Sequence, residues 1–302
     1  MILVSGSIAT DHLLTFPGSF AEQILPESLS AISLSFLADE LTVHRGGVAA
    51  NIAYGIARLG ERAVLVGAVG ADFDVDYRGW LERSGVNCAG VLTSTTAHTA
   101  RFVCTTDREL CQIATFYPGA MSESANIDLA AVGDRHPPAL VLIGPDMPGA
   151  MLRHAAVCRS RGWPFAADPS QQLAAMTGAE IREFITGAAY LFTNEYEYDL
   201  LLDKTGLSGR QLTEIVGLAV TTLGAKGVRL TDRQGTSTVP AVPVDRVVDP
   251  TGGGDAFRAG FLSGTARGLS PVAAAELGCR VAARCLERAG TQTYDPRGLA
   301  HV

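Results

Sequence analysis

Val247-Val248-Asp249-Pro250-Thr251-Gly252-Gly253-Gly254-Asp255-Ala256-Phe257 is the stretch on which the reading of this chain turns. A β-like approach stops at a proline, and three glycines lead to an aspartate at the start of a helix predicted over Ala256–Arg267. Glycines admit backbone conformations that aim several N–H groups at one point. The helix start adds its unsatisfied donors and the positive end of its dipole. Such a turn can hold a transferring phosphoryl group as an anion hole, which makes Gly252, Gly253 and Gly254 candidate catalytic residues. Asp255 stands at the edge, kept ionised by the same dipole, where it can take a proton from an attacking hydroxyl. Taken alone, the same residues also suit a tight turn followed by an ordinary N-terminal helix carboxylate.

Outward from this turn, short apolar runs alternate with helical patterns. Strands are expected at Ile2–Ser5, Ala63–Val69, Ala139–Ile143, Phe165–Ala167, Ala189–Phe192, Leu218–Thr222 and Val228–Thr231. Helical stretches are expected at 46–60, 74–84, 151–162 and 194–203, with a last one at 272–288. This is the signature of an α/β fold, a mostly parallel central sheet covered by helices on both faces. Residues 31–44 and 100–116 break the rhythm, the latter as a hairpin around Asp107-Arg108-Glu109. Antiparallel strands inserted in such a chain suit a small β lid, with segments at about 12–44 and 98–118, or a plain extension of the sheet edge. No repeat or linker divides the 302 residues, so one domain is expected.

Composition removes several function classes. Lys+Arg 24 against Asp+Glu 31 leaves a net charge of −7, the wrong balance for a nucleic-acid or anionic-membrane surface. Only Lys204 and Lys226 are lysines, so a phosphate must be gripped by backbone amides, arginines or a metal. The six cysteines form no CxxC pair and are expected to be reduced and mostly buried. The six histidines show no zinc spacing. The opening residues carry Asp11 and no basic n-region, and no apolar run reaches membrane-span length, so a cytoplasmic protein is expected. The P-loop and protein-kinase signatures are absent, and Val66-Gly67-Ala68-Val69-Gly70 lacks the third glycine of a dinucleotide turn.

Asp249 through Phe261 resembles the C-terminal signature of the ribokinase-like carbohydrate kinases, the phosphofructokinase-B type. Arg45-Gly46-Gly47-Val48-Ala49-Ala50-Asn51-Ile52-Ala53 resembles their N-terminal signature. Asn194-Glu195-Tyr196-Glu197 is similar to their N-x-x-E motif, and Thr222-Leu223-Gly224-Ala225-Lys226-Gly227 to their nucleotide loop. The four lie in the family's order and span most of the chain. The resemblance implies a three-layer sandwich with a small β lid and an ATP- and Mg²⁺-dependent kinase. It implies ATP contacts at Asn194, Thr222, Gly224 and Gly227, and Mg²⁺ held through water by Glu197. K⁺ is a further candidate, at Asp249 and the Thr251 carbonyl. On the acceptor side, Asp11 can accept hydrogen bonds from a cis-diol. Gly46 and Gly47 give a hinge and a close approach to substrate, and Asn51 can serve a sugar hydroxyl.

Longer stretches look like the bacterial adenosine kinases of that family: Gly6-Ser7-Ile8-Ala9-Thr10-Asp11-His12, Ala97–Phe102, Phe116–Met121 and Asp168–Leu173. These imply a nucleoside site that includes Ser7. Phe102 and Phe116 are candidates to sandwich a purine, or else lid-core residues, and Gln171 or Gln172 to read its edge. Ala175 departs from the resemblance, which has an arginine there. The expected reaction is transfer from ATP to the 5′-hydroxyl of adenosine, the chemistry of purine salvage. A sugar kinase of the same family is the alternative, and a binding-only sensor a more distant one. A homodimer through the lid is a further expectation.

Overall fold

Strands buried on both faces of a parallel sheet read as near-continuous apolar runs, and the expected runs supply most of this one. The computed structural model describes residues 1–24 and 33–299, so part of the expected 12–44 lid segment lies outside the described residues. The first half comprises β1 (Ile2–Ser5), β2 (Ala9–Thr15), α1 (Phe20–Gln23), β3 (Glu40–Gly46), α2 (Val48–Arg58), β4 (Ala63–Gly70), α3 (Tyr77–Arg83), β5 (Asn87–Ser94), β6 (Ala100–Thr106) and β7 (Gln112–Tyr117). There follow α4 (Leu129–Arg135), β8 (Leu140–Ile143), α5 (Pro148–Arg161), β9 (Phe165–Ala167), α6 (Gly178–Ile185), β10 (Tyr190–Asn194), α7 (Glu195–Thr205) and α8 (Gly209–Ile215). The chain closes with β11 (Leu218–Thr222), β12 (Val228–Asp232), β13 (Gly235–Val239), α9 (Gly253–Ala266) and α10 (Pro271–Leu286).

The nine-stranded sheet has the order β13-β12-β11-β10-β9-β8-β1-β4-β5. From β11 to β5 every pairing is parallel, and β12 and β13 close the other edge antiparallel. Successive side chains point to opposite faces. Ile2 and Val4 therefore enter one core, with Phe257 and Phe261 of α9, while Leu3 enters the other, with Met151 and Ala155 of α5. The result is three layers, helix–sheet–helix, as the resemblance implies.

β3, β2, β6 and β7 form a separate four-stranded sheet, in that order. The pair β2–β6 is parallel, and β3 and β7 flank it antiparallel. The hairpin expectation for 100–116 therefore holds. Asp11 lies inside β2, opposite His44 and Phe102, as part of the lid sheet.

Candidate active site

The C-terminal ends of β1, β8, β9, β10 and β11 share one edge of the parallel sheet, where open α/β folds bind their ligands. α9 begins at Gly253, three residues earlier than the predicted helix, so Gly253, Gly254 and Asp255 form its first turn. Gly252, with φ of 78°, is the left-handed residue of the turn, and a Cβ there would lie 2.8 Å from Thr291 Cγ2. No side chain caps this helix start. The Gly253 amide reaches the Pro250 carbonyl at 3.4 Å, and the amides of Gly254 and Asp255 can serve an anion.

Asp255 lies in this first turn, partly buried, next to Gly254 of the turn. Burial pushes its carboxyl up to about 6, opposed by the Asn51 hydrogen bond and the Arg258 charge. The carboxyl nevertheless remains mostly ionised at neutral pH. A base with a pKa just below neutrality is well matched to taking a proton from a hydroxyl.

Asn51 Nδ2 donates to Asp255 Oδ2 at 2.8 Å. Its Oδ1 accepts from Thr291 Oγ1 at 2.8 Å and Gln292 Nε2 at 2.9 Å. The one Thr291 hydroxyl proton also reaches the Arg45 carbonyl at 2.9 Å, and Asn51 Nδ2 keeps a second N–H able to donate to a sugar hydroxyl. Asn51 therefore stands beside the Asp255 carboxylate. The second row of the network continues from Gln292 to the Tyr77 hydroxyl at 2.6 Å, which donates to the Gly46 carbonyl at 2.7 Å.

The two glycines before α2 approach their own chain. A Cβ on Gly47, with φ of 88°, would lie 2.6 Å from the Ala9 nitrogen and the Ser7 carbonyl. A Cβ on Gly46 would lie 2.8 Å from Asp11 Oδ2. Their smallness therefore lets β2 and its carboxylate pack against the start of α2. Burial raises the Asp11 carboxyl, and His44 pulls it back. The Ser7 hydroxyl accepts from the Val48 amide at 3.1 Å, serving the start of α2.

On the nucleotide side, a cavity of about 300 Å³ is lined by Thr222, Gly224, Gly227, Gly253, Gly254, Phe257 and residues of α10. The T-L-G-x-x-G loop and the glycine turn thus wall one space. Asn194 is absent from that lining. Its side chain accepts from the Glu197 amide at 2.8 Å, and Glu197 Oε2 accepts from the Asn194 amide at 2.8 Å. The N-x-x-E motif is a capping box for α7. Glu197 Oε1 faces Ser170 Oγ at 3.5 Å, and burial raises this carboxyl.

Asp249 is also engaged: Oδ1 accepts from the Thr251 amide and Oδ2 from the Gly290 amide, each at 2.9 Å. Burial alone would raise its carboxyl, but these two amides bring it below its usual value. Among the described residues no cluster of three or more His, Cys, Asp or Glu side chains could cage a metal. A single Glu197 oxygen fits a hydrated Mg²⁺ carried on nucleotide phosphates, which needs few protein ligands.

On the acceptor side, a second cavity of about 280 Å³ is lined by Phe116, Met121, Pro145, Gln171 and Gln172. Phe102 and Phe116 stand directly opposite each other on β6 and β7. Such pairs project from one face of a sheet, side by side. They cannot grip a ring between them, so the expected sandwich is replaced by a one-sided wall. Two charged residues escaped notice as site residues. Arg258, one turn into α9, forms an ion pair with Asp168 at the end of β9. Their signal, an Arg and an Asp in otherwise apolar stretches, is readable only once a structure brings them together.

Residues 19–297 match the family model described as pfkB family carbohydrate kinase, and the chain belongs to that ribokinase-like family. It is a nucleoside or sugar kinase of the family, and ATP use follows from that membership. Particular relatives narrow the comparison. A nucleoside kinase of Methanothermobacter thermautotrophicus is 32% identical over 253 residues, 83% of this chain and 81% of that protein. The ligand-free nucleoside kinase of Burkholderia thailandensis superposes with a TM-score of 0.89 at 36% identity, covering 100% of this chain and 99% of that one. The same enzyme in complex with ADP-inosine gives 0.83 at 37% identity, covering 98% and 92%. Among the described residues no helix is long and apolar enough to cross a membrane.

Proposed function

We propose that this chain transfers the γ-phosphoryl group of ATP to the 5′-hydroxyl of adenosine, giving AMP and ADP within one kinase domain. The observation that supports a nucleoside is the cavity between lid and sheet. Phe116 and Met121 offer apolar surface there, and Gln171 and Gln172 bring both donors and acceptors for a base edge. The B. thailandensis structure with ADP-inosine supports the same acceptor class.

In this reading Asp11 takes the ribose hydroxyls and Asp255 takes the 5′-hydroxyl proton as its oxygen attacks phosphorus. The amides at the start of α9 hold the transferring group. Glu197 would hold a Mg²⁺ ion through water, and that ion would supply charge neutralisation for the phosphates. Asp249 and the Thr251 carbonyl are the residues a K⁺ ion would use. The lid's outer face exposes Leu41 (59%), Val43 (52%) and Ile113 (44%), and a second copy of the chain is its proposed cover.

Asp11 and Gly46 would serve ribose or another sugar equally well, so the acceptor decides the reading. ADP release should be measured with a panel of nucleosides and sugars, with Mg²⁺ and ATP held constant. Adenosine should give the highest kcat/KM. A pure sugar turned over better would sink the nucleoside assignment and leave the kinase. A rise in melting temperature on adding adenosine, with no ADP formed, would leave a binding protein.

A further inference from the structure

Asp168 and Arg258 are buried, with side chains 0% and 8% exposed. Arg258 Nη2 donates to Asp168 Oδ1 at 2.8 Å, and Nε lies 2.6 Å from Oδ2. A third contact runs from Nη1 to the Gly254 carbonyl at 3.2 Å, and the guanidinium lies over the Phe192 ring, 5.4 Å from its centroid. Buried ion pairs are weak sources of stability, because desolvation offsets much of their attraction. A fork held from so many sides calls for another explanation.

The two ends of the pair lead to different halves of the reaction. Asp168 opens the turn Asp168-Pro169-Ser170-Gln171-Gln172, whose glutamines line the acceptor cavity. In that turn Ser170 holds a φ of 45°, a conformation that persists only where the surroundings over-determine it. Arg258 reaches back to Gly254, which lines the nucleotide cavity and precedes Asp255.

We propose that the Asp168–Arg258 pair is a positioning element joining the turn that reads the acceptor's base to the turn that holds the phosphoryl group. Through it, the fit of the base acts on kcat and not on KM alone. The part concerning the base rests on the nucleoside reading above. The pair also brackets Asp255 electrically, with Arg258 favouring its ionised form and Asp168 opposing it. The other groups facing Asp255 are Asn51 of α2, Asp11 of β2, Cys285 of α10 and Tyr294 of the C-terminal segment.

The test compares Arg258→Gln, Asp168→Asn, their double variant and Arg258→Lys, with pH profiles of kcat/KM and separate kcat values for adenosine and ribose. Arg258→Gln should lower kcat for adenosine by about 10- to 100-fold, the scale of an ångström-sized misplacement. Its acid limb should move to higher pH, that of Asp168→Asn to lower pH, and the double variant's back toward wild type. Arg258→Lys keeps the charge but not the fork, so its acid limb should stay while its kcat preference for adenosine over ribose falls at least ~10-fold. Acid limbs and kcat ratios that stay fixed while only melting temperatures fall would reduce the pair to a structural brace and overturn the proposal. If the wild type prefers a sugar, the nucleoside reading fails by itself. The opposed acid-limb movements, followed with that sugar, then still decide whether Arg258 and Asp168 act on Asp255.

Discussion

The central sheet and the lid sheet meet around the same crevice, yet solvent treats them in opposite ways. All eight residues of β4 are buried, and all six of β7 are exposed. The sheet is packed by two large apolar cores, whereas the cluster beneath the lid is Ala9, Ala100 and Met121 with Met147 against them. Elements with few buried contacts open at low free-energy cost, and segments that must admit a ligand come from that end of the range. The helix that follows the glycine turn packs into the first of these cores through Ala256, Phe257 and Phe261, whereas Phe116 lies in the exposed strand β7. In the proposed reading the phosphoryl-transfer chemistry is anchored on a buried helix and the acceptor is admitted past an exposed strand.

This contrast can be broken first on stability. Leu65→Ala in β4, where the side chain is 0% exposed, should cost about 2–5 kcal/mol in denaturant unfolding. Leu110→Ala at the tip of the lid hairpin, where the leucine is 82% exposed, should stay within about 0.5 kcal/mol. Comparable losses at the two sites would mean that the lid is as rigid as the sheet.

The next effect is catalytic. Asp255→Asn should leave the melting temperature near wild type and lower kcat at least ~10²-fold. In the wild type, kcat/KM should fall about tenfold per pH unit below about 6, because the buried carboxyl is then protonated and cannot accept the hydroxyl proton. The asparagine variant should lack that limb, and a surviving one would assign it to another group. The smallest effect belongs to the lid. Phe116→Ala should weaken adenosine ~5- to 150-fold, the worth of one stacking face, and leave ribose unchanged. Phe102→Ala should do less, since Phe102 does not line the cavity. Equal losses for adenosine and ribose would make Phe116 lid structure.

The parallel strands were legible because burial on both faces forces continuous apolar runs such as Ile2–Ser5 and Leu218–Thr222. β5 escaped because one of its faces is wet at Asn87 and Ala89, and Gly90 on the buried face, where a Cβ would lie 2.7 Å from the Leu65 carbonyl, breaks the apolar run. β13, Gly235–Val239, is a polar edge strand with four of five residues exposed. α6 and α8 are short, but their capping boxes, Thr177 with Glu180 and Ser208 with Gln211, were a usable signal. At the site, the glycine turn and Asp255 could be read from local sequence, because a helix start is a local object. The roles of Asn51, Arg258 and Asp168 could not, since each is set by a partner far away in the chain.

That distance has a consequence for how the molecule is made. Asn51 is held by Thr291 and Gln292, 240 and 241 residues further along. Every strand of the central sheet has been synthesised by Val239, and the catalytic aspartate by residue 255. The amide beside Asp255 still waits for two more side chains, Thr291 and Gln292, before its oxygen has its partners. The frame of the crevice is thus complete in the chain well before the contacts that orient its carboxylate.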